Sequence, residues 1–216
     1  MYPEEDALPA RDRERVPIFV VGKNQSTTLG GREAFRWTQT TAMVGLGDLV
    51  GGRPDSSARD VSADGLVVVG SATSPSIPVA SEAFRWTEAG GMVGLGHLRD
   101  GSGTLALGVS GDGSIVVGTD LLFGHPDQAF IWDAKNGMRA LDQVLVNDYG
   151  VDLSGWNLSW AEAISPDGLT IIGYGRSRNS DHEAWIARLA VVPEPSTALL
   201  VGSGLVGMTL LRRRAR

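Results

Sequence analysis

The fold is decided by the stretch Ala58-Arg59-Asp60-Val61-Ser62-Ala63-Asp64-Gly65-Leu66-Val67-Val68-Val69-Gly70. Related stretches occupy residues 106–118 and 161–173, at spacings of 48 and 55 residues. A second block, Glu33-Ala34-Phe35-Arg36-Trp37-Thr38, returns at residues 82–87, and a third block at residues 43–49 returns at 92–98. Because three blocks repeat with nearly one period, the sequence predicts a tandem array.

Each period is predicted to contain four short antiparallel strands. The first strand leads into an Asp-Gly pair, which is typical of a hairpin turn because both residues accept a positive φ. An apolar, β-branched second strand follows, and a third strand alternates, with Phe35 and Trp37 on one face and Ala34 and Arg36 on the other. A Met-Val-Gly-Leu segment forms the fourth strand. The three predicted turns are Asp64-Gly65, Asp112-Gly113 and Asp167-Gly168.

These units predict an all-β fold of tandem four-stranded antiparallel repeats of about 50 residues, the size of a β-propeller blade. A β-solenoid is the alternative, although its coils are usually shorter. Residues 18–49 supply only the last three strands of a unit, and residues 161–189 lack a clear fourth strand. An insertion at residues 151–160, with two tryptophans, lengthens the final period. Either the two partial ends complete a four-bladed ring, or the array is an incomplete, open part of a larger propeller.

The composition excludes several classes of protein. The formal net charge is −6, and without the four arginines among the last five residues the balance is 15 basic against 25 acidic residues. An acidic body with a basic tail is unlike a nucleic-acid-binding domain. The absence of cysteine excludes disulfide scaffolds, cysteine-ligated zinc, iron–sulfur clusters and thiol nucleophiles. No motif predicts a cofactor.

The last 26 residues do not belong to the repeat. Pro193-Glu194-Pro195 breaks any strand, and residues 197–211 form an uncharged, largely apolar run. As a helix this run would span about 22 Å at ~1.5 Å per residue. An apolar run that ends in clustered arginines predicts a transmembrane helix with a cytoplasmic stop-transfer charge, and a buried C-terminal helix is the alternative. The stop-transfer residues are Arg212, Arg213, Arg214 and Arg216.

The Pro-Glu-Pro motif, the short apolar helix and the arginine cluster together resemble the PEP-CTERM sorting signal of Gram-negative bacteria. The resemblance implies recognition and processing by an exosortase, a membrane-embedded transpeptidase-like enzyme. It assigns Pro193, Glu194 and Pro195 to the recognised motif and residues 197–211 to the membrane. The chain is then expected in the cell envelope or outside the cell, anchored in the membrane until the signal is processed.

The repeats resemble the HAF family of extracellular repeats, which is named for a His-Ala-Phe motif. The elements Gly-Leu-Gly-Asp-Leu and Ser-x-Asp-Gly-x-x-Val-Val-Gly carry the resemblance. The histidine position of the family is held here by Glu33, Glu82, Gln128 and Glu183. Together with the sorting signal, this resemblance implies an exported structural or binding protein.

The N-terminal segment differs from both regions. Its first 15 residues contain eight charged side chains and no apolar core, so they are not a secretory signal peptide. The first repeat also begins in mid-unit, and we therefore expect a chain that is truncated at its N-terminus. The predicted divisions are a charged, disordered segment at 1–17, a β-repeat domain at 18–190 and the sorting signal at 191–216.

No pattern in the sequence predicts a catalytic or metal-binding site. A calcium site at the three turn aspartates is an alternative, but each turn supplies one carboxylate and the turn geometry already explains it. We expect a non-enzymatic structural role or the binding of a glycan or protein, with Trp156 or Trp160 as candidates for sugar stacking. The rival functions are a polysaccharide-acting enzyme, with its acid and base among Asp120, Asp127 and Asp181, and a non-functional fragment.

Overall fold

The computed structural model describes residues 18–26, 30–73, 80–121, 123–178, 180 and 182–189. These residues form four antiparallel sheets of three or four strands and one helix. The chain is therefore mostly β, as the repeats predict. The predicted boundaries of the β-repeat domain, after residue 17 and after residue 190, stay predictions.

Each sheet is a meander in which consecutive strands are paired. The first sheet contains β1 (Phe19–Gln25), β2 (Arg32–Thr38) and β3 (Ala42–Gly45). The second contains β4 (Ser56–Val61), β5 (Val67–Thr73), β6 (Ser81–Thr87) and β7 (Gly91–Gly94). The third contains β8 (Gly103–Val109), β9 (Ile115–Leu121), β10 (Gln128–Asp133) and β11 (Gly137–Ala140), and α1 (Leu141–Tyr149) follows it. The fourth contains β12 (Asn157–Ile164), β13 (Thr170–Arg176) and β14 (Glu183–Arg188).

The strand order matches the repeat pattern in detail. Within the described residues the first sheet holds only the last three strands of a unit, and the fourth sheet holds only the first three, as predicted. The first strands of the second, third and fourth sheets also share an irregularity that the sequence did not suggest. Each carries a β-bulge at the same repeat position, at Ala58/Asp60, Ala106/Gly108 and Ala161/Ala163.

The sheets stack face to face in chain order. Three hydrophobic cores lie in the stack, one between the first and second sheets, one between the second and third, and one between the third and fourth. Within the part of the chain that the structure describes, substantial contacts join only these successive sheets. No closed ring is therefore seen among these residues.

Alternation along the third strand of each unit decides which face meets which neighbour. Ala34 of β2 faces the second sheet, and Phe84 and Trp86 of β6 pack back against the first sheet. Arg36 is 7% exposed, and its guanidinium lies 5.1 Å from the Trp86 ring centroid in a cation–π contact. Each sheet thus has an aromatic face towards the preceding sheet and an alanine face towards the following one.

Helix α1 and the position of Trp160 differ from the sequence-based expectation. The repeat pattern predicts a full four-stranded unit over about residues 106–145, but residues 141–145 begin α1. Leu141, Val144 and Leu145 recur at helical spacing and are buried between the third and fourth sheets. Trp160 was expected in an insertion and lies inside β12 instead.

No helix in the described part of the chain is long and apolar enough to cross a membrane. The predicted transmembrane helix at residues 197–211 and the predicted disordered segment at residues 1–17 lie outside the described residues.

Candidate functional site

The three predicted Asp-Gly turns share one hydrogen-bond pattern. In the turn of the second sheet, Ser62 Oγ donates to Asp64 Oδ1 over 2.6 Å, and the Leu66 N–H donates to the same oxygen over 2.9 Å. The Gly65 N–H donates to the Ser62 carbonyl over 2.9 Å and closes the turn. The same serine-to-aspartate bond occurs in the next two turns, at Ser110 and Asp112 and at Ser165 and Asp167.

Neighbouring turns are also hydrogen-bonded to each other. The Ala63 N–H donates to the Gly111 carbonyl, and the Gly111 N–H donates to the Pro166 carbonyl, both over 2.9 Å. Pro166 has no N–H, so this ladder of turns ends at the fourth sheet. The turns therefore lie on one rim of the stack and fix the spacing of the sheets there.

Each turn aspartate accepts hydrogen bonds from a serine hydroxyl and a backbone N–H of its own turn. The Ser110 hydroxyl, with the N–H and hydroxyl of Ser114, lowers the pKa of Asp112 to about 2. The corresponding serine hydroxyls lower the pKa of Asp64 and of Asp167. Among the described residues no group of three or more His, Asp or Glu side chains could hold a metal ion. The geometry of the turns supports a structural role.

A cleft of about 570 Å³ lies on the opposite rim, between the third and fourth sheets. The loop before β10 supplies one wall, and the start of β12 and the end of β13 supply the other. The side chains that give the cleft its chemistry are His125, Asp127, Trp160, Tyr174, Arg176 and His182.

Three rings form a continuous row in this cleft. Trp160 and Tyr174 are cross-strand partners, and their ring centroids lie 5.6 Å apart with an interplanar angle of 13°. The His182 ring stacks on Tyr174 at 4.8 Å and 29°. Trp160 Nε1 donates to Asp127 Oδ2 over 2.9 Å, which joins the row to the third sheet. The arrangement offers ring surface beside a carboxylate.

The environment of Tyr174 differs from that of an ordinary surface tyrosine. Burial raises the pKa of the Tyr174 hydroxyl, and the negative charges of Glu162 and Asp127 raise it further. A tyrosine is protonated at neutral pH even at its ordinary pKa of 10.0, and the raised pKa lets the Tyr174 phenol keep its donor hydrogen further into the alkaline range.

The two described loop acids of the rival enzymatic hypothesis, Asp120 and Asp127, have different surroundings. Asp127 lies in the cleft, whereas Asp120 is fully buried and accepts from Arg99 Nε over 2.7 Å and Ser102 Oγ over 2.5 Å. Asp181 lies outside the described residues.

Of the two tryptophans proposed for sugar stacking, Trp160 is in the cleft and Trp156 is not. Trp156 is 37% exposed and lies beside α1. Sequence reasoning missed Tyr174, Arg176 and His182, because none of them belongs to a motif. The cross-strand register that pairs Tyr174 with Trp160 is the one signal that could have indicated the row.

The residues of the predicted sorting signal also lie outside the described part of the chain. The model of the PEP-CTERM protein-sorting motif matches residues 191–214. This match confirms the predicted sorting signal and includes Pro193-Glu194-Pro195. A PEP-CTERM signal implies an exported, envelope-associated protein that is sorted by an exosortase. No curated protein matches the chain.

Two solved structures are similar to most of this chain. They are TolB from Acinetobacter baumannii, at 15% identity, and a proposed TolB from Agrobacterium tumefaciens, at 16% identity. The TM-score is 0.48 in each comparison. The similar regions cover 82% and 80% of this chain but 39% and 58% of those proteins, so the chain spans less than two thirds of their length.

Proposed function

We propose that the chain is an exported, non-enzymatic envelope or matrix protein that binds glycans in the cleft between the third and fourth sheets. The observation that carries the proposal is the row of Trp160, Tyr174 and His182 beside the Asp127 carboxylate. Sugar rings place their C–H faces on aromatic rings, and their hydroxyl groups donate to carboxylates and accept from arginine. The cleft volume of about 570 Å³ lies within the usual range for ligand sites.

The architecture within this proposal is propeller-like. Four-stranded meanders of about 50 residues that stack face to face are typical of propeller blades. Binding sites on such arrays commonly lie on a rim, where loops from neighbouring blades meet. The proposal includes that the repeats are of the HAF type, which fits an extracellular role.

The small number of carboxylates among the described residues of the cleft supports binding without cleavage. Glycoside hydrolysis needs two carboxyl groups about 5–9.5 Å apart. Among the described residues that line the cleft, Asp127 is the one carboxylate, and it accepts a hydrogen bond from Trp160. The fully buried Asp120 is held by Arg99 and Ser102.

A glycan array of bacterial envelope and matrix polysaccharides tests the proposal. The Trp160→Ala variant is expected to lose about tenfold or more in affinity, since one aromatic stacking contact is worth about 1.4 kcal/mol. Trp156→Ala is the matched control, because this tryptophan lies outside the cleft and its removal leaves binding unchanged. Circular dichroism establishes that both variants fold.

Three results would overturn the proposal. They are a wild-type protein that binds no glycan of the array, equal losses in the two tryptophan variants, and release of reducing sugar from a bound polysaccharide. The last result would support the rival enzyme.

The sorting step is tested separately in the native host. We expect the mature protein in the envelope or the medium, with a C-terminus that lacks the residues after the Pro-Glu-Pro motif. A host without its exosortase is expected to retain Arg216 on a membrane-anchored chain. Mass spectrometry of the two protein ends after cell fractionation makes the measurement, and an intact cytosolic chain would contradict it.

A further inference from the structure

The two ends of the stack each leave one face without a neighbouring sheet among the described residues. We call the first end face the outward side of the first sheet, which carries Val20, Phe35, Trp37 and Met43. We call the last end face the outward side of the fourth sheet, which carries Ile172, Tyr174, Ala184 and Ile186. Tyr174 thus belongs both to this face and to the ring row of the cleft.

The first end face repeats a surface that is buried everywhere else in the stack. Val20 occupies the same repeat position as Val68, Val116 and Ile171, because each precedes the glycine that recurs in β1, β5, β9 and β13 by two residues. Those three side chains are 0% exposed, whereas Val20 is 47% exposed. Met43 is 52% exposed, although its equivalents Met92 and Met138 pack against the inner cores.

The last end face repeats the complementary surface. Ala129 and Ile131 of β10 are buried in the core that the third sheet shares with Trp185 and Ile171. Ala184 and Ile186 of β14 stand at the same repeat positions and are the same residue types. Ile186 is nevertheless 70% exposed, compared with 5% for Ile131.

We propose that these two faces bind each other between two copies of this chain. The first sheet of one copy then continues the stack on the fourth sheet of another, and Trp37 lies against Ile186 as Trp86 lies against Arg36. A second copy is the indicated occupant because the interface between successive sheets already has this form three times, and because one chain places the two faces at opposite ends of its stack.

The turn ladder is consistent with this occupant. Between inner sheets, the turn of one sheet donates an N–H to the turn of the next. Pro166 stands at the donor position of the fourth sheet and has no N–H. A sheet placed on the last end face therefore receives no such hydrogen bond from the fourth sheet.

Cross-linking in the native host tests the proposal with the full chain. The sequence contains no cysteine, so introduced thiols are the only ones in the protein. Two differently tagged copies, one Met43→Cys and one Ile186→Cys, are co-expressed and treated with a bismaleimide of about 10 Å, the usual distance between stacked sheets. The control pair combines Met43→Cys with Leu66→Cys, an exposed position on the turn rim.

We expect about tenfold or more mixed-tag dimer from the Met43→Cys and Ile186→Cys pair than from the control pair, because bound copies hold the two thiols at high effective concentration. Preferential dimers between two Met43→Cys copies would show that like faces meet and would overturn the proposal. In a chain that carries both Met43→Cys and Ile186→Cys, an intramolecular cross-link would show that one chain closes its own ring, and this result would overturn the proposal. Equal yields of mixed-tag dimer from the test pair and the control pair would also overturn the proposal. This holds whether a labelling maleimide shows that the thiols are accessible or that another segment or protein covers them.

Discussion

Gly113 meets two separate demands in the turn of the third sheet. Its φ of 71° lies in the left-handed region, where a side chain costs about 1–2 kcal/mol. A Cβ at this position would also lie 2.4 Å from a methyl carbon of Val67 in the second sheet. Val67, the first residue of β5, thus packs beneath the turn of the third sheet, and only glycine at position 113 leaves room for its side chain.

The Gly113→Ala variant is expected to lose about 2–5 kcal/mol of unfolding free energy, the sum of the backbone cost and an overpacking cost of about 1–3 kcal/mol. Gly101→Ala is the matched control, because Gly101 has a φ of 79° and open space around its Cβ position. Its loss is limited to about 1–2 kcal/mol. Urea denaturation measures both, and equal losses would contradict the packing argument.

Asp112 makes stability depend on acid pH. Its pKa of about 2 in the folded chain lies below the ordinary value of 3.8. A depressed aspartate pKa adds stability above the unfolded pKa, and that contribution is lost as the pH falls from about 4 towards about 2. We expect Asp112→Asn to show a flatter decline of the unfolding free energy over this range than the wild type.

Denaturant titrations at several pH values measure this effect. Asp100→Asn, a substitution of an exposed loop aspartate, serves as the control and is expected to follow the wild-type curve. Parallel curves for wild type and Asp112→Asn would contradict the assigned role of the turn carboxylate.

At the scale of elements, two arginine–aspartate pairs show how burial changes the value of an ion pair. Arg99 binds the fully buried Asp120, and it also donates to the Pro126 carbonyl in the loop beside the cleft. Arg32 binds Asp55 between the first and second sheets, where the two side chains are 54% and 40% exposed. Only the first pair holds a charge that water cannot reach.

Arg99→Ala is therefore expected to cost about 2–3 kcal/mol, since a buried carboxylate loses its charged donor but keeps the hydroxyl of Ser102. Arg32→Ala is expected to cost less than about 1 kcal/mol, as exposed pairs usually do. Thermal denaturation of the two variants makes the comparison. A loss of similar size in both would contradict the burial argument.

The elements also show what local sequence can predict. The strands around the Asp-Gly turns were predictable because turn chemistry and β-branched runs act over a few residues. Helix α1 was missed because the repeat suggested a strand there, although Gly150, in the left-handed region, and the spacing of Leu141, Val144 and Leu145 are helix signals. The cleft was not predictable, because Asp127 and Trp160 are 33 residues apart and only the stacking of two sheets joins them.

At the scale of the whole molecule, each sheet obtains its core from its immediate neighbours. The second and third sheets are covered on both faces, whereas the first and fourth are covered on one face by sheets of the described chain. In such arrays stability is close to a sum of units and nearest-neighbour interfaces.

Hydrogen exchange is expected to reveal this gradient. At a protein concentration that keeps copies apart, the amides of β5 and β9 exchange more slowly than those of β1 and β14, because opening an inner sheet disrupts two interfaces. Exchange measured residue by residue provides the test, and uniform protection across the four sheets would contradict it.

The nearest-neighbour packing also has a genetic consequence. A unit meets its neighbours through one aromatic face and one alanine face, so recombination can insert or delete a whole unit wherever these two faces are restored. The rest of the stack keeps its packing after such an event. Length differences among related genes should therefore fall in steps of one period, about 50 codons, with breakpoints that preserve the phase of the repeat.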